Sequence, residues 1–123
     1  LTELLVEGYP DSEDGVGMPG FIKQAIEIIE DKFRLDINLD LLAKQVGVSK
    51  YHLSRVFKRY TGYSPYEYIL NYRLSQSKDL LKSTDLPIYE VASKVGFDSS
   101  SHFIKQFRVQ EGVTPLKFRE YWR

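Results

Sequence analysis

The sequence predicts an all-α fold, a seven-helix domain in which a long connecting helix joins two helix-turn-helix subdomains. Three observations predict it. From residue 20 onward, apolar residues recur at three- and four-residue steps, which is typical of amphipathic helices. No segment shows the alternating pattern of a strand, and one helix-turn-helix pattern occurs twice. With 123 residues, 42% hydrophobic and 28% charged, the composition is typical of a single globular domain.

The first twenty residues differ in charge from the rest of the chain. They contain five acids and no Lys or Arg, whereas residues 21–123 hold all 17 cations and 12 of the 17 acids, a net charge of +5. Because the chain begins with Leu and its single methionine is Met18, we interpret residues 1–19 as a linker and the end of a missing N-terminal domain. Residues 20–123 are then the functional domain.

Capping residues place the first three helices. Asn38 caps a second helix that Gly47 ends, and Ser49 caps a third that Gly62 ends, which predicts the first helix-turn-helix at about 38–62. The first helix begins at Pro19-Gly20, and its apolar face holds Ile22, Ala25, Ile26, Ile29 and Phe33.

The same signals place the remaining helices. Ser64-Pro65-Tyr66-Glu67 reads as a capping box with Pro at the first helical position, and it opens a connecting helix at about 65–82. A second helix-turn-helix follows at about 87–111, and Thr114-Pro115 opens a final helix at about 115–122. The predicted inward face of the connecting helix holds Tyr66, Leu70, Leu74, Ser77 and Leu81.

The internal repeat decides the fold. Ala43 and Gly47 align with Ala92 and Gly96 at an offset of 49, whereas beyond the turn the offset becomes 50, so the second turn holds one inserted residue. In each copy a small residue lets two helices approach, and the glycine four residues later permits the turn. The match runs in register through a dozen positions, and each copy ends in a G-x-[ST]-P sequence.

Two stretches of the repeat resemble a known family. They are LAKQVGVSKYHLSRVFKRYTGYSPYEYI and VASKVGFDSSSHFIKQFRVQEGVTPLKFR, and the chain is similar to the C-terminal DNA-binding domain of AraC/XylS-type bacterial transcription regulators over roughly residues 20–122. The resemblance implies binding of double-stranded DNA and regulation of transcription. It favours activation over repression, because members of the family commonly activate transcription. It also implies RNA polymerase and a missing N-terminal effector or dimerisation domain as further partners.

The second helix of each copy is the predicted reading helix. Such a helix lies in the major groove with its N-terminal half at the base edges. We predict that Leu53, Val56, Phe57 and Tyr60 point inward in the first copy, and Phe103, Gln106 and Phe107 in the second. The leading base reader is Arg55, whose planar fork suits guanine O6 and N7. The base-facing candidates are Lys50, Tyr51, Ser54, Arg55, Ser100, Ser101, Ile104 and Lys105.

Phosphate contacts are predicted from the ends of the same helices. Side chains further along a reading helix meet the backbone of the duplex rather than the bases. The segment Ser49 to Gly62 contains four cations and no acid, which suits a polyanion. The phosphate-contacting candidates are Ser49, Lys58, Arg59, Ser99 and Arg108.

Other functions are disfavoured by the sequence. There is no cysteine, phosphate loop, nucleophile elbow or metal motif, so we expect no cofactor, no bound metal and no enzymatic activity. A helical protein-interaction module is the alternative from another class.

Three further residues have predicted structural roles. His52 and His102 sit at equivalent repeat positions, and we expect them to pack or to contact phosphate. For Arg73 we favour a structural pairing with an acid over a DNA contact. We expect no membrane span and a cytoplasmic location.

The length of the connecting helix predicts a bent duplex. A helix of eighteen residues is about 27 Å long, whereas successive major grooves recur at roughly 34 Å. Both reading helices can therefore engage one face of a duplex only if the duplex bends or if one copy docks loosely, and we predict bending. Because both copies lie in one chain, we expect a monomer to read an asymmetric site of nearly two turns. Circular-permutation mobility shifts should reveal a bend in the bound duplex. An unbent duplex in which both grooves are protected would contradict this prediction.

Overall fold

A computed structural model of the protein describes residues 17–123. Residues 1–16 of the predicted linker and domain end therefore lie outside the described residues. The described part contains seven α-helices and no strand, which confirms the predicted fold class. The predicted helix ends agree with the observed ones to within one or two residues. The helices are α1 (Gly20–Lys32), α2 (Leu39–Val46), α3 (Lys50–Thr61), α4 (Pro65–Ser83), α5 (Ile88–Lys94), α6 (Ser100–Glu111) and α7 (Pro115–Trp122).

The chain divides into two compact units, each with one copy of the repeat. In the described residues, the first comprises residues 17–31 together with Asn38–Tyr66 and therefore holds α1, α2 and α3. The second comprises Lys32–Ile37 with Glu67–Arg123 and holds most of α4 together with α5, α6 and α7. Each unit thus contains one helix-turn-helix, as the repeat predicts.

In the first unit, side-chain caps set the helix starts. The Asn38 side chain accepts a hydrogen bond from the Leu41 N–H at 2.9 Å, and the Ser49 hydroxyl accepts one from His52 N–H at 3.1 Å. Each cap satisfies a backbone donor that the first turn of a helix leaves without a partner. The side chains buried in this unit are Ile22, Ala25, Ile29, Leu42, Ala43, Leu53, Val56 and Phe57, and Tyr60 is half-buried.

The core of the second unit is aromatic. Phe103 lies between Phe97 and Phe107, with ring centroids 5.2 and 5.7 Å away, and Phe118 lies 5.4 Å beyond Phe107. The ring planes are tilted or edge-on, the arrangements that aromatic quadrupoles favour. Gln106, which we predicted to point inward, is half-buried beside this core. Aliphatic side chains that complete the core are Leu74, Leu81, Val91, Ala92 and Val95.

The predicted inward face of α4 is partly wrong. Leu74, Ser77 and Leu81 are buried, but Tyr66 is 64% exposed and Leu70 is only half-buried. In the first two turns the buried residues are instead Pro65 and Ile69. At 100° per residue, these two lie roughly 130° around the helix from the face that holds Leu74, Ser77 and Leu81. The helix therefore buries two different faces along its length, and a single apolar stripe could not describe both.

Arg73 has a structural role, and two of its hydrogen-bond partners are backbone carbonyls that the sequence did not indicate. Its Nε donates to the carbonyl oxygen of Phe33 at 2.8 Å, and its Nη2 donates to that of Leu35 at 2.8 Å. The turn of the second copy packs directly on this arrangement. A Cβ added to Gly96 would lie 2.7 Å from the Phe33 oxygen and 2.8 Å from Arg73 Nε. Arg73 thus connects the segment after α1, helix α4 and the turn before α6.

The two turn glycines should differ in their tolerance of alanine. Both have positive φ, +78° at Gly47 and +100° at Gly96, but a Cβ at Gly47 meets nothing within 4 Å. We expect Gly47→Ala to lower the free energy of unfolding by about 1–2 kcal/mol through backbone strain alone. Gly96→Ala should cost at least about 3 kcal/mol, because it also disrupts the Arg73 hydrogen bonds. Urea unfolding followed by circular dichroism measures both losses, and equal losses would contradict the steric argument.

Candidate nucleic-acid interface

Helix α3 separates an apolar face from a cationic one. Leu53, Val56 and Phe57 are buried against the first unit, as predicted. Ser54, at the boundary, is half-buried. The remaining predicted site residues of this helix are all exposed, with Tyr51 at 74%; they are Lys50, Tyr51, Arg55, Lys58 and Arg59. They cover an arc of about 180° around the helix axis, with Lys50 and Arg55 in the N-terminal half.

The cation of Lys50 has an acidic neighbour that the sequence analysis missed. Its Nζ lies 3.5 Å from Asp40 Oδ1 and 5.6 Å from the ring centroid of Tyr51. Asp40 lies in the first turn of α2, where a carboxylate is stabilised by the helix dipole. Because both side chains are solvent-exposed, the pair contributes little stability, and Lys50 can exchange Asp40 for another anion. No local sequence pattern links these two residues.

Arg55 is held by a histidine of its own helix. Its Nη2 lies 3.3 Å from His52 Nδ1. A guanidinium can only donate hydrogen bonds, so Nδ1 is the acceptor in this contact. The His52 ring also packs on Phe21, with centroids 5.4 Å apart. This role was not predicted, although the spacing of three residues on one helix face could have indicated it.

His102, at the equivalent position of the second copy, packs on Phe97 with ring centroids 5.3 Å apart. Both histidines therefore pack against aromatic rings, which is one of the two roles that we expected. Among residues 17–123 there is no group of three or more His, Asp or Glu side chains that could hold a metal ion.

Ser49 and Ser99, the two predicted phosphate-contacting serines, are helix caps. Ser99 caps α6 as Ser49 caps α3, and its hydroxyl accepts from His102 N–H at 3.1 Å. Each cap occupies a lone pair of the oxygen and leaves the hydroxyl proton as a donor. The amide groups of a helix N-terminus also favour an anion. A phosphate contact is therefore compatible with the capping role.

Helix α6 presents a smaller and less charged face than α3. Phe103 and Phe107 are fully buried, and Ser100 is half-buried at the start of the helix. The exposed predicted site residues are Ser101, Ile104, Lys105 and Arg108. The exposed surface of α6 thus combines a hydroxyl, an aliphatic side chain and two positive charges.

A family model described as a helix-turn-helix domain matches residues 42–121, which extend from α2 into α7 and include both copies. The chain belongs to the AraC/XylS-type family of helix-turn-helix transcription regulators. The Msm operon regulatory protein of Streptococcus mutans is 32% identical over 123 residues, which cover 98% of this chain and 44% of that protein. The chain spans less than half the length of this and the next two curated relatives, of which it covers 13% and 27%.

Solved structures of AraC-type domains resemble the fold. The C-terminal domain of AraT, a response regulator from Geobacillus stearothermophilus, has a TM-score of 0.82 and 31% identity, covering 85% of this chain and 87% of that one. The DNA-binding domain of AdpA, solved in complex with a target DNA, has a TM-score of 0.78 and 26% identity, covering 83% and 92%. In the part of this AraC/XylS-type chain that the structure describes, no helix is both long and apolar enough to cross a membrane.

Proposed function

We propose that this chain binds double-stranded DNA sequence-specifically through α3 and α6, each placed in a major groove, and thereby regulates transcription. The observation that carries the proposal is the exposed cationic face of α3, the second helix of a helix-turn-helix whose other face is buried. The net charge of +5 on residues 21–123 provides a further attraction to a polyanion. The AraC-type neighbour solved with a target DNA supports the same assignment.

Base reading is assigned to the N-terminal halves of the two helices. On α3, Arg55 reads a guanine through its planar fork, and Lys50, Tyr51 and Ser54 adjoin it. On α6, Ile104 packs on a thymine methyl group, and Lys105 reaches a guanine. Ser100 and Ser101 pair with base edges through their hydroxyls. The two copies therefore read by different means, one mainly through a guanidinium and the other through hydroxyl and apolar contacts.

Phosphate contacts hold the domain in register on the duplex. Lys58 and Arg59 lie one turn beyond Arg55 on α3, and Arg108 lies at the corresponding place on α6. Ser49 and Ser99 add donors at the two helix N-termini. Contacts of this kind carry little sequence information, but they dominate affinity and its salt dependence.

We further propose that an additional N-terminal domain controls this activity in the full protein. The chain covers only part of its first relatives, and members of the family include a protein named as a transcriptional activator. The proposal has three further parts. The protein activates transcription through contact with RNA polymerase, the 123-residue chain is a monomer, and it catalyses no reaction.

The proposal is tested by fluorescence anisotropy of a labelled random duplex of about 25 base pairs, titrated with the chain at several salt concentrations. We expect log affinity to fall linearly with log salt, with a slope near −0.9 for each phosphate contacted. Selection from a randomised duplex pool should then yield an asymmetric site. No binding at low salt would overturn the proposal.

Replacing Arg55 should damage recognition at one base pair. We expect Arg55→Ala to weaken the selected site by about 1–3 kcal/mol and to relax preference at a single position, because the guanidinium fork distinguishes guanine from other bases. Binding to single-base variants of the site measures this change. The matched control is Lys58→Ala, for which we expect uniform weakening on all sequences and a salt slope smaller by about one. An equal loss for Arg55→Ala on every sequence would make Arg55 a phosphate contact.

His52 should act through Arg55. We expect His52→Phe, which keeps a ring against Phe21 but removes the acceptor, to reduce discrimination at the Arg55 base pair by about 2- to 5-fold, roughly 0.5–1 kcal/mol. His52→Asn, whose side-chain oxygen replaces Nδ1 as acceptor, should restore it. His102→Phe is the control in the second copy and should leave that position unchanged. If His52→Phe has no effect on discrimination, His52 only packs.

A further inference from the structure

A groove that the proposed DNA contacts do not use runs along α7. Helix α4, the turn after α6 and α7 enclose a volume of about 430 Å³, which we call the α7 groove. Residues that define it are Lys78, Lys82, Lys117, Phe118, Tyr121 and Trp122. Glu111, at the C-terminal end of α6, also lines it. Glu111 is eleven residues from Ser100, about 16 Å along the helix, so the groove lies away from the base-facing end of α6.

The surface of the groove is unusually apolar for an exposed site. Phe118 forms its buried floor, whereas Trp122 is 58% and Tyr121 85% exposed. Val113 adds an exposed aliphatic side chain to the lining. Clustered exposed apolar residues in a folded domain are typical of protein interaction sites, and Trp and Tyr contribute disproportionately to binding energy there.

The rim of the groove is positively charged. Lys78 forms an ion pair with Glu111 at 3.1 Å, so these two charges compensate each other. Lys82 lies with its Nζ 4.8 Å from the ring centroid of Trp122 and 5.8 Å from that of Phe118. With Lys117, the side chains that line the groove carry a net charge of +2. An occupant therefore needs an apolar side for the rings and carboxylates for the rim.

Helix α7 is fixed in place by two arginines. Arg119 Nε donates to the carbonyl oxygen of Leu81 at 3.0 Å, in the last turn of α4. Arg123 Nη1 donates to the Thr84 carbonyl at 2.6 Å, and its Nη2 pairs with Asp85. Because these bonds hold α7 against the end of α4, the groove exists before any partner arrives, which lowers the cost of binding.

The exposure of the rings distinguishes between kinds of occupant. A small ligand site encloses most of its ligand, about 70–90% of the ligand surface. Here Tyr121 and Trp122 leave one side of the groove open to solvent. An open apolar groove with charged edges is instead the arrangement that receives an amphipathic helix through side chains spaced three and four residues apart.

We propose that the α7 groove docks an acidic amphipathic helix of a partner protein. The apolar side of that helix packs on Phe118, Tyr121 and Trp122, and its carboxylates pair with Lys82 and Lys117. Since the groove lies away from the base-facing end of α6, docking does not require DNA. It gives the domain a second recognition surface of different chemistry.

The test is a selection of displayed random 16-residue peptides on the immobilised 123-residue chain. The pool is counter-selected on the Lys82→Glu/Lys117→Glu double variant. We expect the enriched peptides to be acidic and amphipathic with helical spacing. The best peptide is then synthesised with a label and titrated by anisotropy, and emission of Trp122, the only tryptophan in the chain, reports whether it contacts the groove.

Matched variants separate the groove from the rest of the surface. We expect the peptide affinity to fall at least 10-fold in Lys82→Glu and in Trp122→Ala, and by less in Lys82→Gln, with unchanged circular dichroism. Lys94→Glu and Tyr89→Ala change an exposed lysine and an exposed tyrosine of α5 that do not line the groove, and they should bind normally. Enriched peptides without acidic bias, failure to enrich any peptide, or equal affinity for Lys82→Glu would overturn the proposal.

Discussion

The turn between the two helices of each copy is the constraint on which the rest of the structure depends. In the first copy, the amides of Gly47 and Val48 both donate to the carbonyl of Ala43, at 2.9 and 3.1 Å. In the second, the amide of Phe97 donates to the carbonyl of Ala92 at 3.0 Å. A small residue and a positive-φ glycine are needed for the chain to reverse so closely. This reversal fixes which face of the following helix is buried and therefore which side chains it exposes.

The two copies use this constraint differently. Three residues separate Gly96 from the start of α6, whereas two separate Gly47 from the start of α3, so the predicted insertion is present in the second turn. Gly96 of the second turn is also packed on Arg73 and the Phe33 carbonyl, whereas a Cβ added at Gly47 of the first turn would meet nothing within 4 Å. The copy with the more constrained turn carries the less charged helix. A face with few charges depends more on precise placement, because short-range apolar and hydroxyl contacts weaken faster with distance than charge attraction does.

Local signals made most of the fold predictable, and non-local contacts account for what was missed. Caps such as Asn38 and Ser49 act within three residues, so sequence alone locates them. The buried face of α4 changes along its length, and that depends on what surrounds the helix rather than on its own periodicity. Arg73 donates to carbonyls about forty residues away, and no local sequence pattern indicates those contacts. In the candidate site, periodicity predicted the exposure of most reading residues. No local pattern indicates the Asp40 neighbour of Lys50, whereas the three-residue spacing of His52 and Arg55 is compatible with their contact.

Two positively charged surfaces on one domain need not compete for the same partner. The α3 face presents four cations with Tyr51 as its large apolar neighbour, which suits the regular charge of a duplex backbone. The α7 groove presents fewer net charges around exposed aromatic rings. A phosphate backbone gains little from those rings, because it has no apolar side to bury. An acidic amphipathic helix gains little on α3, because most of its apolar side would stay in water. Both surfaces are positively charged, so it is the apolar area of each surface that determines whether it favours the duplex or the acidic helix.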